Sequence, residues 1–210
     1  MSVILESENP RGILLFAPGA GGDPTRYERL FAAANAAGFV VASPEHELTE
    51  TFADDEVRER VVALRSLLDD VALVDLPVVA AGHSLGGFAA LCLAGAHPRN
   101  RAGEAIEVPS EPRVERAVVI APATGWFSGE DGLTDVQVPV AVLVGGDDAV
   151  TPPGTAEILR TAPSHVELIS YEGVGHFDFM SPLPEGKTPV VEDHDAFTER
   201  FLADFVAALG

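Results

Sequence analysis

Apolar residues are grouped along the chain in short runs separated by longer segments of helical periodicity. Strands that are covered on both faces carry apolar residues at consecutive positions, whereas half-exposed strands alternate apolar and polar residues. The continuous pattern therefore predicts buried parallel strands, with residues 3–6 as a further edge strand. The predicted buried strands are 13–17, 39–43, 78–82, 114–121, 140–145 and 166–171.

The segments between several of these runs have apolar residues on one helical face. We expect helices from the Asp23-Pro24 cap to Gly38, over 54–70, over 85–96 and over 195–209. Residues 85–96 are apolar on all sides, which indicates a central, buried helix. This alternation predicts an α/β fold: one domain over residues 1–210, with helices on both faces of a mostly parallel sheet of about six or seven strands.

Two segments interrupt the alternation. Residues 99–113 and 181–192 are rich in proline, glycine and glutamate and are predicted to be loops. Both are too short to form a lid domain. We therefore expect an open, shallow site.

The charge balance of the chain is strongly acidic. The formal net charge is −20, and Lys187 is the only lysine. Such a surface repels nucleic acid and anionic membranes, so we expect neither as a partner. The charge fits a very soluble protein from a GC-rich genome, or adaptation to high salt, where counterions screen the repulsion between carboxylates.

The terminal and cysteine patterns bear on location. No apolar run reaches the ~18 residues of a membrane span, and residues 1–6 lack the basic start and long apolar stretch of a signal peptide. Cys92 is the only cysteine, so an intrachain disulfide cannot form, and we expect it to be a core residue. These features predict a cytoplasmic protein.

A candidate nucleophile stands between a predicted buried strand and the predicted buried helix. Gly82-His83-Ser84-Leu85-Gly86 matches the G-x-S-x-G pattern. In that pattern the serine adopts a strained backbone, and side chains at the two glycines would collide with the turn. Ser84 is therefore the predicted nucleophile, with His83 pointing away from it into the packing. The alternative is a glycine-rich turn with an incidental serine.

A serine needs a neighbouring base, and the base needs an acid that orients it. His176 lies in a glycine-flanked loop after the last predicted strand, where the carboxyl edge of a parallel sheet places functional groups. His46, also beyond a strand end, is the second candidate. The strand ending at residue 145 is followed by Asp147 and Asp148, either of which could supply the acid.

Serine, aspartate and histidine occur here in the chain order of the α/β-hydrolase triad, and the chain resembles that superfamily over nearly its whole length. Within it, the motifs are similar to those of the dienelactone-hydrolase, cutinase-like polyesterase and chlorophyllase group. Residues 82–87 resemble its G-H-S-x-G-G turn, and residues 175–177 its G-H-F loop. Residues 145–152 resemble its G-x-x-D-x-x-x-P acid loop, which selects Asp148.

Two further features follow from this resemblance. Residues 16–22 resemble the oxyanion segment of the family, which implies backbone N–H donors at Ala20 and Leu85. Their glycines do not have the G-x-G-x-x-G spacing of a dinucleotide site. Trp126, the only tryptophan, resembles the substrate-clamping tryptophan of the polyesterases; the alternative is a loop tryptophan packed on the sheet edge.

The resemblance implies a serine carboxylester hydrolase that needs no metal or organic cofactor. We expect neutral, short-chain esters as its small-molecule substrates, because an acidic surface disfavours polyanions. Dienelactone hydrolases have cysteine where this chain has Ser84, so lactone activity is not implied. The same triad would also serve an acyltransferase, a perhydrolase or a peptidase, and a non-catalytic binding protein of this fold is a further alternative.

Overall fold

A seven-stranded sheet forms the centre of the computed structural model, which describes residues 2–71 and 76–210. The strand order is β1-β3-β2-β4-β5-β6-β7; β1 runs antiparallel to β3 and every other neighbouring pair is parallel. The predicted fold class is confirmed, including the edge strand. The strands are β1 Val3–Leu5, β2 Gly12–Ala17, β3 Phe39–Ser43, β4 Val78–His83, β5 Val114–Ile120, β6 Val140–Gly145 and β7 Val166–Tyr171.

Over residues 2–71 and 76–210, four α-helices cover the two faces of the sheet: α1 Glu28–Ala36, α2 Asp54–Asp70, α3 Leu85–Leu93 and α4 His194–Ala208. On one face, α2 and α3 pack through residues such as Val61, Leu64 and Phe88. On the other, α1 and α4 pack through residues such as Phe31 and Phe201. Both faces are covered, which explains why the strands are apolar at consecutive positions.

The structure departs from the predicted helices in two places. The first helix begins as a 3₁₀ turn, Pro24–Tyr27, before α1. The third ends at Leu93 instead of residue 96, because Gly95 has φ +108° and a Cβ there would collide with the carbonyl of Asp135. The connections after β5 and β6 contain only 3₁₀ helices, Gly125–Phe127 and Pro153–Thr161.

The predicted loops 99–113 and 181–192 contain no helix, and no lid domain is found over residues 2–71 and 76–210. In the same two ranges, no helix is both long enough and apolar enough to cross a membrane. The carboxyl ends of the central strands are therefore left open to the loops that follow them.

Candidate active site

Ser84 occupies the sharp turn between β4 and α3. Its backbone has φ +57° and ψ −119°, a conformation that costs a non-glycine residue free energy and is typical of functional sites. A Cβ at Gly86 would collide with the carbonyl of Ala17, and one at Gly82 would collide with Gly86. Both glycines are thus required for the turn, as the sequence predicts.

His176 and Asp148 form a buried pair beyond the ends of β7 and β6. The imidazole Nδ1 lies 2.7 Å from Asp148 Oδ2, and the two residues are 6% and 4% exposed. The neighbouring Asp147 is exposed. Asp148, selected by the resemblance, is therefore the aspartate that contacts His176.

The Asp148 carboxylate is held by its own loop. Oδ1 accepts backbone N–H bonds from Val150 and Thr151, each 2.8 Å long. The Thr151 hydroxyl lies 2.9 Å from Oδ2 and 3.1 Å from His176 Nδ1. Burial alone would raise the pKa of Asp148, but the bonds from His176 and Thr151 outweigh it and lower that pKa below its ordinary value.

His83 connects the loop after β2 with the loop that carries His176. Its ring is fully buried and lies 4.6 Å from the His176 ring, centroid to centroid. Nε2 lies 3.0 Å from the carbonyl oxygen of His176, which can only accept, so Nε2 carries the proton. Nδ1 therefore accepts from the Tyr27 hydroxyl at 2.9 Å, and the Tyr27 oxygen accepts the N–H of Gly19 at 3.2 Å. The His83 ring is therefore buried between Tyr27 and the His176 loop.

Loop 18–22, which follows β2, passes beside Ser84. A Cβ at Gly19 would lie 3.5 Å from the Cβ of Ser84. Within residues 2–71 and 76–210, the backbone N–H groups of Ala20 and Leu85 have no hydrogen-bond acceptor. Two free amides on either side of the serine are what an oxyanion hole needs.

His46 lies on the segment that packs against loop 18–22. Its backbone N–H donates to the carbonyl oxygen of Gly22 at 3.0 Å. Burial, together with the nearby Arg60 cation, lowers the pKa of His46 to about 4. Its ring is therefore neutral near pH 7, and its buried Nε2 has no partner among the residues that the structure describes. Among the described residues, Asp148 is hydrogen-bonded to His176 and not to His46.

The loop that carries His176 is anchored by Asp178, which is 2% exposed. Its carboxylate accepts three backbone N–H groups, from Gly175 at 2.8 Å, Val190 at 2.9 Å and Val191 at 3.0 Å. The carbonyl of Asp178 also lies 2.9 Å from Nε2 of His194, a residue that the sequence analysis did not implicate. These bonds attach the 3₁₀ turn His176–Phe179 to the segment leading into α4.

Trp126 is partly buried on the loop after β5. Its ring packs 5.0 Å from Phe88, one helical turn beyond Ser84, and 6.4 Å from Phe52. Phe52 is 44% exposed and has φ +55°, held there by Thr51 and Ala53, whose N–H groups both donate to the Glu56 carboxylate. Trp126 and Phe52 line an open cavity of about 820 Å³.

Cys92 is 1% exposed within α3, and burial raises its pKa well above the ordinary value, so it is a core residue as expected. In the described ranges, no group of three or more His, Cys, Asp or Glu side chains could hold a metal ion.

The comparisons with known proteins agree with this architecture. A model of the alpha/beta hydrolase family matches residues 14–134, which include the turn at Ser84. That is more than half of the chain, and the chain therefore belongs to the alpha/beta hydrolase family. No curated protein sequence matches it significantly. The finer resemblance to dienelactone hydrolases, polyesterases and chlorophyllases stays a prediction.

Solved structures show the same fold at low identity. A monoacylglycerol lipase from Paleococcus ferrophilus is 15% identical with a TM-score of 0.68, over 99% of this chain and 98% of that one. Butyrate-bound esterase 2 from Thermogutta terrifontis is 17% identical with a TM-score of 0.65, over 100% of this chain and 89% of that one. The tabun-phosphoramylated form of that esterase is 16% identical with a TM-score of 0.66, over 100% of this chain and 89% of that one.

Sequence reasoning missed four residues that the structure places around the site: Tyr27, Arg60, Thr151 and Asp178. Of these, Arg60 had a readable signal. It interrupts the apolar stripe of α2, three residues after Val57 and four before Leu64. An arginine at a core-facing position requires partners for its charge.

Proposed function

We propose that the protein is a serine carboxylester hydrolase with Ser84 as nucleophile, His176 as base and Asp148 as the acid that orients the base. The observation that carries the proposal is the buried 2.7 Å bond between His176 Nδ1 and Asp148 Oδ2, beyond the same strand ends as the strained Ser84 turn. A buried carboxylate in this position stabilises the imidazolium that forms when a hydroxyl is deprotonated.

We infer the direction of proton transfer from the Nδ1 contact of His176 with Asp148. Nδ1 of His176 is committed to Asp148, which leaves Nε2 to take the proton of the Ser84 hydroxyl. The serine oxygen then bonds to the acyl carbon, and the carbonyl becomes an oxyanion. Collapse of that intermediate breaks the ester C–O bond, and Nε2 returns its proton to the leaving alcohol. Water attacks the acyl-enzyme by the same route and releases the acid.

The amides of Ala20 and Leu85 are the proposed oxyanion donors. Both are free of protein partners within residues 2–71 and 76–210, and Gly19, next to Ala20, adjoins the Ser84 side chain. Loss of one such donor typically lowers the rate about 10²–10³-fold.

The substrates we propose are neutral, short-chain esters, with the cavity beside Trp126 and Phe52 receiving one side of the molecule. The fold neighbours, a butyrate-bound esterase and a monoacylglycerol lipase, favour ester chemistry. We expect Trp126→Ala to raise KM for longer p-nitrophenyl esters several-fold and to leave the KM for acetate nearly unchanged. An equal change for all chain lengths would remove Trp126 from the substrate site.

A fluorophosphonate probe tests the nucleophile directly, and an esterase of the same fold is known in a phosphoramylated form. We expect the wild type to be labelled and to hydrolyse p-nitrophenyl esters, and Ser84→Ala to lose both properties. Ser66→Ala, which changes an exposed serine of α2 outside the cavity beside Trp126 and Phe52, should keep both. Absence of labelling and of turnover in the wild type, across low and high salt, would favour a non-catalytic binding protein.

A further inference from the structure

Arg60 is a buried cation on the sheet-facing side of α2, only 2% exposed. Its guanidinium has five N–H donors, and each of them has one acceptor in the structure. The acceptors are Thr49 Oγ1 at 2.7 Å and the carbonyl oxygens of Pro18 at 3.3 Å, Gly19 at 2.9 Å, Ala20 at 2.7 Å and Glu47 at 3.2 Å.

All five of these acceptors are uncharged oxygens. A buried arginine usually has a carboxylate partner, because removing its charge from water is costly. Here burial lowers the pKa of Arg60 to about 10, and Tyr27 and Glu56 counteract this only through their electrostatic fields. Arg60 is therefore protonated near pH 7, and its positive charge faces loop 18–22.

Three of the acceptors are consecutive carbonyls of loop 18–22. A trans peptide points its C=O and the following N–H in opposite directions. Because the Gly19 carbonyl faces Arg60, the N–H of Ala20 must point away from it. The Pro18 peptide obeys the same rule, since the Gly19 N–H on its far side reaches the Tyr27 hydroxyl. The guanidinium thus sets the direction of the Ala20 amide.

A second set of bonds keeps the loop against this cation. Thr49, whose hydroxyl accepts from Arg60, donates its own backbone N–H to the Ala20 carbonyl at 2.9 Å. A Cβ at Gly22 would collide with the His46 carbonyl, so the two segments pack without space between them. Loop 18–22 therefore has one orientation relative to α2.

We propose that Arg60 is the positioning residue of the oxyanion hole: it fixes the Ala20 amide toward the substrate carbonyl, and its charge favours the negative tetrahedral intermediate. The inference rests on the proposed ester-hydrolase function, because only that chemistry gives the amide an oxyanion to bind. Arg60 itself does not touch the substrate. A cation held behind a preoriented amide stabilises the transition state more than the ground state.

Three variants separate this role from simple support of the core. Arg60→Met keeps much of the side-chain volume and removes the charge and all five donors. Arg60→Lys keeps the charge but offers three donors on a differently shaped head group. Leu64→Ala is the matched control, since Leu64 is fully buried on the same stripe of α2 and makes none of the bonds to loop 18–22.

For Arg60→Met we expect kcat to fall about 10²-fold with KM within about twofold of wild type. Affinity for an alkyl boronic acid, which forms a tetrahedral anion on the serine, should fall by a similar factor. Arg60→Lys should retain part of the wild-type kcat and part of the affinity for the boronic acid. Leu64→Ala should lower the midpoint of thermal unfolding while kcat, measured well below that midpoint, stays near wild type.

Hydrogen exchange of the peptide containing residues 18–22 provides a readout that does not depend on catalysis. Exchange should accelerate in Arg60→Met and not in Leu64→Ala. Unchanged exchange, or a kcat loss that Leu64→Ala reproduces at equal folded fraction, would overturn the proposal. A wild type without turnover or probe labelling refutes the proposed function and the oxyanion role of Arg60 with it, whereas an active wild type with an active Arg60→Met refutes the role of Arg60 alone.

Discussion

The Thr151 hydroxyl is shared between the acid and the base of the candidate triad. It lies 2.9 Å from Asp148 Oδ2, 3.1 Å from His176 Nδ1 and 3.0 Å from the Ala121 carbonyl. Because the hydroxyl has only one proton, at any moment it donates a hydrogen bond either to the Asp148 carboxylate or to the Ala121 carbonyl. Removing it leaves the backbone N–H bonds to Asp148 intact.

We expect Thr151→Val to lower kcat/KM about tenfold, since one hydrogen bond to a charged group contributes about 1.5 kcal/mol. Thr161→Val is the control, because its exposed hydroxyl bonds only the nearby Ile158 carbonyl at 2.8 Å. The measurement is kcat/KM of the wild type and of both variants with one p-nitrophenyl ester. Equal effects of the two substitutions would show that the Thr151 hydroxyl has no special relation to the triad.

His46 should make the stability of the protein depend on pH. Burial lowers its pKa in the folded protein to about 4, below the ordinary histidine value of 6.5. The unfolded chain therefore binds a proton between these values that the folded chain does not, and stability falls as the pH drops from about 6.5 to about 4.

Urea unfolding of wild type and His46→Gln over this pH window checks the prediction. The free energy of unfolding should fall more steeply in the wild type, and the two slopes should agree above about pH 7. His165→Gln, which changes an exposed histidine, should follow the wild type. Parallel curves for wild type and His46→Gln would contradict the buried, neutral state of this ring.

At the scale of elements, the strands were predictable and several contacts between loops were not. The strands β2, β3, β4 and β6 are buried at every position, so continuous apolar runs predict their bounds, as at Phe39–Ser43 and Val140–Gly145, whereas β7 was predicted to be buried and is partly exposed. The turn at Ser84 was predictable because two glycines are sterically required there. The roles of Tyr27 and Asp178 depend on which loops meet in space, and no local pattern of the chain encodes that.

Asp178 illustrates how a buried carboxylate can join two elements. Its two oxygens accept three N–H groups, one from the loop before His176 and two from residues 190 and 191. An asparagine there would place an NH2 group opposite at least one of these donors. We expect Asp178→Asn to lower the free energy of unfolding by about 3 kcal/mol and to reduce kcat/KM as the His176 loop loosens.

The control for this substitution is Asp193→Asn, because Asp193 accepts a backbone N–H at the exposed start of α4, where asparagine caps a helix nearly as well. Urea midpoints and kcat/KM are compared for the two variants. A stability loss in Asp178→Asn with unchanged kcat/KM would mean that the His176 loop keeps its position without this anchor.

For the whole molecule, the net charge of −20 is the dominant electrostatic fact. Unscreened carboxylates repel one another in the compact state, and the screening length shortens from about 10 Å at 0.1 M salt to about 3 Å at 1 M. We expect the midpoint of thermal unfolding to rise by about 5 °C between these concentrations of NaCl.

Repeating the series near pH 5, closer to the isoelectric point of about 4.4, is the control, because protonation of the histidines and of some carboxylates then removes about half of the net charge. The salt effect should shrink there. A midpoint near pH 7 that does not rise with NaCl would argue against salt adaptation and leave the acidic composition as a feature of solubility.

Cys92 lies in the helix that begins at Ser84 and is 1% exposed. As the only thiol of the chain, it can react with an alkylating reagent only when α3 leaves the sheet. Its alkylation rate thus measures how often the middle of the molecule opens, without any introduced label. A covalent inhibitor on Ser84 that slowed this reaction would reveal how strongly occupancy of the site tightens the surrounding core.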